Sequence, residues 1–325
     1  MDVSLIIPVY NARQFIEKCM ESVRSQVFKG SLECIFIDDC SNDETINKIE
    51  DFIRVEKYQE KKQKNIKYHL YHQEYNQGPS AARNRGIKES KGKYLFFLDA
   101  DDEITPDCIE TLYSLADSHN LDYVQGVYDN KYGMSSFYSS NEKGLILDRA
   151  TIKRSLLNYN IIPYTPHNRL VLRRMIIENK LFFNEEIRVR EDFLWMSFVA
   201  KHVTRMGYSD RVTYFRGYNE NSLTHNVNIE REIKGYRVLI ETMCANIDSF
   251  LIGEQKTLIL DALIMCIESG YYHNSQEKNY LINLVKKQNC MQERVLLRLY
   301  IIMPNSKWKK WLLHALIRLY KINDR

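Results

Sequence analysis

Four apolar runs punctuate the first hundred residues: "VSLIIPVY" (3–10), "ECIFIDD" (33–39), "IKYHLYH" (66–72) and "KYLFFLD" (93–99). Hydrophobicity that is continuous rather than alternating suits strands covered on both faces. The stretches between them carry helical periodicity. Residues 13 to 27 place Phe15, Ile16, Cys19, Met20 and Val23 on one face, and helices are expected again from about Asp43 to Arg54 and from Pro79 to Ser90. Strands alternating with helices of this length pair in parallel through right-handed crossovers, and ligands then gather at the strands' C-terminal ends. The expected class is α/β: a Rossmann-like, doubly wound, mostly parallel sheet. Each run closes on polar residues.

A chain of 325 residues with 44% hydrophobic content can bury a full core and is long for one compact domain, so a large domain with an appendage is expected. Beyond about residue 225 the strand signals vanish, and 230–250, 254–270 and 277–302 read as a C-terminal helical extension. "EKKQKNIK" (60–67) reads as a solvated loop. With 46 basic against 42 acidic residues the net charge is +4, too mild for nucleic acid to be a partner. Seven cysteines without CxxC or finger spacing fit reduced thiols in the cytoplasm. The N-terminus "MDVSLIIPVY" lacks a basic flank, and no later stretch approaches the roughly 18 apolar residues a membrane span needs. The segment 306–321, "SKWKKWLLHALIRLYK", sets Trp308, Trp311, Leu312, Ala315 and Leu319 at helical spacing among basic residues. Such a helix suits peripheral contact with an anionic membrane, here the inner face of the cytoplasmic membrane; packing on upstream helices or in a homodimer is the other reading.

The densest charge lies in "FLDADDEITP" (96–105), with Asp99, Asp101, Asp102 and Glu103 at a strand end. Burying uncompensated carboxylates costs several kcal/mol, so such a group calls for a hard divalent cation such as Mn²⁺ or Mg²⁺. In an extended segment Asp99 and Asp101 share a side. Helix capping by Thr105 or Asp102, with Pro106 as first helical residue, is an alternative that uses only one or two of the acids. Pro8 lacks an N–H and suits the end of the first strand, where backbone groups lie open to a flat base. Asp38, Asp39 and Ser41 follow the second strand and would otherwise only make a turn and cap a helix. Gly78 and Arg83 follow the third, where a helix N-terminus and planar guanidinium donors favour a nucleotide. "RVREDFLWMSFVAKH" (188–202) puts Glu191 and Asp192 in the first turn of a helix with an apolar face. No GxxxxGK[ST] is present, which excludes a P-loop, and "VYNARQF" after the first strand is not the Gly-rich loop of a nucleotidyltransferase.

"IIPVYN", "IDDCSNDET", "NQGPSAARNRGIKESKGKYLFFLDADD" and "REDFLW" occur in this order, and over about residues 2 to 225 the chain resembles the family 2 glycosyltransferases, inverting enzymes of GT-A fold. The resemblance implies a sugar donor, usually a UDP-sugar, lying across the strand ends with a divalent metal on its diphosphate. It implies that Pro8, Val9 and Tyr10 line the uracil, that Asp39 accepts its N3–H, that Gly78 and Arg83 meet the nucleotide, and that Asp99 and Ala100 bind next to the ribose. Asp101 is then the metal ligand, supported by Asp102, with His225 a further candidate ligand. Asp192 becomes the base that deprotonates the acceptor hydroxyl, and Glu191 orients the acceptor or a flanking arginine. His167, Asn168 and Arg169 are expected to reach acceptor or donor phosphates, and Arg216 and Ser222 the diphosphate. The implied division is 1–103 for the nucleotide half, 104–225 for the acceptor half and 226–325 for the helical remainder. The implied activity is metal-assisted transfer of a hexosyl-type sugar to a glycan or lipid-linked glycan acceptor in surface polysaccharide or lipooligosaccharide synthesis. A noncatalytic nucleotide-sugar-binding or scaffold protein of the same fold is the competing reading, and it would be expected to show damaged motifs.

Overall fold

The computed structural model describes residues 1–59, 66–129, 144–156, 165–187, 190–217, 235 and 237–242. The loop residues 60–65, Ser222, His225, most of the helical segments expected beyond 230 and the basic tail lie outside the described residues. The chain divides into two compact units, Met1–Glu185 with Trp195–Asn226, and Glu186–Leu194 with Val227–Arg325.

The first hundred residues form β1 (Val3–Val9), α1 (Ile16–Arg24), β2 (Leu32–Asp38), α2 (Thr45–Gln59), β3 (Ile66–His72), α3 (Pro79–Glu89) and β4 (Tyr94–Phe97). There follow β5 (Glu103–Ile104), α4 (Cys108–Ser118), β6 (Tyr123–Asp129), β7 (Gly144–Ile146), α5 (Arg149–Leu156), β8 (Arg169–Leu172), α6 (Arg173–Glu178), α7 (Glu191–His202) and β9 (Met206–Phe215). Among the described residues these strands make one sheet in the order β3-β2-β1-β4-β8-β6-β9-β5, with β7 beside β9. β1 pairs in parallel with β2 and β4, and β2 with β3. β8 enters antiparallel between β4 and β6, while β6 and β9 run parallel. The sheet is mostly parallel and wound on both faces, as the strand–helix alternation predicts.

Burial explains the continuous apolar runs. Every residue of β2 is buried, and β1 is buried at all positions but Pro8. On one face Leu5, Ile7, Cys34 and Phe36 pack with Ile16, Cys19, Met20 and Val23 of α1, Ile49 of α2 and Ile109 and Leu112 of α4. On the other, Ile35 and Ile37 pack against Ala82 of α3. Phe97 also meets Phe183 and Trp195 edge-on, with ring centroids 5.7 and 5.6 Å away.

Two boundaries differ from the sequence expectation. Pro8 does not end β1: it stays in register opposite Ile37, and the strand runs to Val9. β4 pairs only as far as Ile6 opposite Phe97, so the missing N–H falls where β1 has outrun that neighbour. The helix expected to open at Pro106 begins at Cys108 with Asp107 before it, because Glu103 and Ile104 are drawn into antiparallel pairing with Phe215 and Tyr214. Asp102 therefore caps no helix.

Candidate active site

β1 delivers Tyr10 to the surface, where it is 49% exposed, and Asn11 then turns the chain with φ 48°. Asparagine tolerates this left-handed conformation. Its Oδ1 accepts from Asn42 N at 2.9 Å, and its own N–H donates to Ser41 Oγ at 3.1 Å, which ties the loops after β1 and β2 together. Beside them Asp38 receives Ser41 N at 2.9 Å and faces His72 Nδ1 at 3.1 Å. Asp38 thus shapes the turn.

Asp39 is buried and reaches across to the loop after β3. Its Oδ1 accepts from Gln73 Nε2 at 2.6 Å and Gln77 N at 2.7 Å, and its Oδ2 from Gly78 N at 2.7 Å. Gly78 holds φ 90°, which a side chain rarely adopts, and leads into Pro79 at the start of α3. Asp39 thereby fixes the loop that exposes the α3 N-terminus. Asp39→Ala would orphan two backbone N–H groups, each at a cost of about 1–3 kcal/mol. The expected result is a lower urea midpoint with an unchanged m-value, and a midpoint equal to wild type would refute this bracing role.

From α3, the buried Arg83 sends Nη2 to Asp99 Oδ1 at 3.2 Å and lies over the Phe183 ring at 5.4 Å. Burial opposes a charge on Asp99, yet the Arg83 guanidinium holds its carboxyl below the usual carboxylate range. A parallel bridge between Phe97 and His167 sets the imidazole at the end of β4, and Nε2 comes within 3.8 Å of Asp99 Oδ2. Burial pulls His167 down to about 3, so the ring is neutral at neutral pH despite the carboxylate.

The acid segment is a turn rather than an extended strand end. Asp102 N donates to Asp99 O at 3.1 Å, so Asp99 and Asp102 converge, and Asp101 is not the partner that strand alternation would give Asp99. Asp102 accepts from Tyr214 Oη at 2.5 Å and from Gly217 N at 2.7 Å. Burial, then the charges of Asp99 and Asp101, push its carboxyl well above the usual range in spite of these donors. Gly217 passes so close that a Cβ there would overlap the Asp101 carbonyl oxygen.

Ligand atoms of Asp99, Asp102 and His167 lie within 4.8 Å of one another, and Asp101 stands outside that group. Two carboxyl groups and an imidazole are donors that Mn²⁺ accepts, and a bound cation would offset both the burial and the neighbouring acid charges that raise the Asp102 carboxyl. The His167 Nδ1 has no hydrogen-bond partner among the described residues. These residues fit a divalent cation.

Other candidates fall differently. Ala100 is buried beside the acids, and Arg216 is exposed at the end of β9. Asn168 and Arg169 do not reach a phosphate site: both are fully buried. Asn168 Oδ1 accepts from Thr213 Oγ1 at 2.6 Å, and Arg169 donates to the His167 carbonyl at 3.1 Å and to Met196 Sδ at 3.1 Å. Glu191 and Asp192 are half-buried in the first turn of α7, within the second unit, directly after Arg190 at φ 61°. Tyr214 and Gly217 are missed by sequence reasoning. "YFRG" draws attention to its arginine, whereas the aromatic and the glycine beside it hold the acids.

A doubly wound sheet that gathers an acid turn, a buried arginine and an anchored glycine loop at its parallel strand ends is a GT-A fold. Residues 4–179 match the family model "Glycosyl transferase family 2", more than half of the 325 residues, and the chain belongs to that family. It is 29% identical over 222 residues to the GalNAc(5)-diNAcBac-PP-undecaprenol beta-1,3-glucosyltransferase of Campylobacter jejuni, covering 68% of this chain and 67% of that protein. It is 27% identical over 222 residues to the poly(ribitol-phosphate) beta-N-acetylglucosaminyltransferase TarS of Staphylococcus aureus, covering 66% of this chain and 35% of TarS. The chain thus spans between about a third and two thirds of these curated relatives. The crystal structure of S. aureus TarS 1-349 with UDP-GlcNAc has a similar fold, with a TM-score of 0.64 at 24% identity, covering all of this chain and 89% of that one.

Proposed function

We propose that the protein is an inverting transferase that moves a sugar from a UDP-sugar to a hydroxyl of a lipid-linked or polymeric glycan in the synthesis of a cell-surface glycan. The observation that carries this reading is the Asp99–Asp102 turn set against buried Arg83 and His167 at the end of β4. The C. jejuni relative is named for a lipid-linked acceptor, and TarS for a polymer and a solved complex with UDP-GlcNAc. On this reading residues 1–103 bind the nucleotide and 104–225 face the acceptor. Pro8, Val9 and Tyr10 line the uracil with Tyr10 stacking on it, Asp39 accepts its N3–H, Gly78 and Arg83 meet the nucleotide, and Asp99 with Ala100 meets the ribose.

Asp99, Asp102 and His167 would hold Mn²⁺ or Mg²⁺, with Asp101 of the same turn, and His225 outside the described residues, as further candidate ligands. Such an ion, when bound, supplies positive charge against the leaving diphosphate. Arg83 keeps Asp99 ionised while the donor enters. Asp192 takes the acceptor proton as that oxygen attacks the anomeric carbon from the face opposite the diphosphate, and Glu191 orients the acceptor.

A thermal-shift panel of nucleotide sugars with Mn²⁺, followed by an assay for released UDP, tests the reading. A UDP-sugar at a hundred times its Kd should add about 2.7 kcal/mol, several degrees in Tm, and should be turned over once an acceptor is present. If other nucleotide sugars bind and none carrying UDP does, the donor assignment fails. Binding without release of UDP under any acceptor would leave a binding protein.

A further inference from the structure

Tyr214 is fully buried on β9, opposite Ile104 of β5 and Tyr128 of β6. Its ring stacks on His167 with centroids 4.9 Å apart and planes 16° from parallel. Tyr128 meets the same ring edge-on at 5.4 Å. A pure packing role would be served as well by phenylalanine. The hydroxyl, however, is placed at the mouth of the acid turn and touches both of its ends. It accepts the Asp99 N–H at 3.3 Å and donates to Asp102 Oδ2 at 2.5 Å.

Gly217 N takes the other Asp102 oxygen at 2.7 Å, so the carboxylate is fixed in both position and tilt. The turn closes on itself through Asp102 N and Asp99 O. Without the phenol, Asp102 would keep one backbone tether and be free to rotate about it, and Asp99 would lose the partner of its backbone N–H. Groups that orient ligating carboxylates in this way commonly change metal affinity by roughly 10- to 100-fold.

We infer that the Tyr214 hydroxyl is a positioning residue for the transfer reaction: one phenol on β9 sets the spacing of Asp99 and Asp102 and so tunes cation binding at the acid turn. This inference rests on the glycosyltransferase reading proposed above. Tyr214 acts through Asp102, and its stack on His167 aims the hydroxyl.

The test compares the full-length chain with Tyr214→Phe, titrating Mn²⁺ in the presence of UDP and following free Mn²⁺ by EPR. The substitution keeps the ring and the stack. Mn²⁺ affinity should fall roughly 10- to 100-fold, with kcat falling and the donor KM at saturating Mn²⁺ changing less than about threefold. Tyr128→Phe is the packing control. It alters the same aromatic group and donates to the His167 carbonyl at 2.5 Å rather than to an acid, so its Mn²⁺ affinity should stay within about twofold of wild type. In an Asp102→Asn background, removing the hydroxyl should change affinity less than about twofold, because both changes act at one carboxylate.

Mn²⁺ affinity in Tyr214→Phe equal to wild type, an equal loss in Tyr128→Phe, or full additivity with Asp102→Asn would each overturn the inference and leave the transferase reading standing. Wild-type protein that binds no Mn²⁺ with UDP present would overturn both. If Tyr214→Phe does not fold, 3-fluorotyrosine at position 214, which keeps the ring and the hydroxyl and makes the phenol a stronger donor, decides: a shifted Mn²⁺ affinity upholds the brace at Asp102, and an affinity equal to wild type refutes it.

Discussion

Asp192→Asn is expected to lower sugar transfer by about 10²- to 10⁴-fold while leaving UDP-sugar Kd within a few-fold of wild type, the effect of removing a general base from an intact donor site. The side chain is half-buried in the first turn of α7, where the helix dipole favours its charge. Asparagine keeps the shape and can still hydrogen-bond, so the fold is expected to survive and only proton acceptance is lost. Single-turnover transfer beside donor calorimetry separates the two effects. Unchanged turnover would move the base elsewhere, with Glu191 the first residue to test. Weakened donor binding with normal chemistry would make Asp192 a binding residue.

Asp101→Asn should give the second large loss, with transfer falling about a thousandfold, roughly 4 kcal/mol, and part of that loss recovered by raising Mn²⁺. Stability should move the other way. Asp101 adds to the unfavourable field that raises the Asp102 carboxyl, so removing its charge relieves the neighbour, and the variant without metal should melt at or above the wild-type temperature. A variant that is both inactive and less stable would point to lost structure. One that is active and needs no more Mn²⁺ would exclude Asp101 as a ligand.

These two residues mark what the sequence makes legible. The α/β architecture follows from apolar runs long enough to be read one at a time, and the burial of β1 and β2 on both faces explains why those runs do not alternate. β8 is a different case. It has four residues, joins the sheet antiparallel between β4 and β6, and is held by partners far away in sequence, so no local period announces it. The acid turn shows the same limit at the scale of single side chains. Alternation pairs Asp99 with Asp101, but one hydrogen bond from Asp102 N to Asp99 O folds the segment and exchanges the partner. Arg169 is an instance in which residue type misleads: a cation in a polar motif reads as a phosphate contact, yet its guanidinium stacks on Tyr123 at 5.6 Å inside the core. Tyr214 carries no signal in a single sequence, since an aromatic on a buried strand satisfies every packing rule without its hydroxyl.

The tie between Tyr214 and Asp102 spans 112 positions of chain. During translation the ribosome therefore releases the acidic turn long before its brace exists, and at about 5–20 residues per second the nascent chain waits several seconds or more with those carboxylates unpinned. The cation-binding geometry is acquired late, when β9 docks. An ion held by that geometry would meet it only once the sheet is complete.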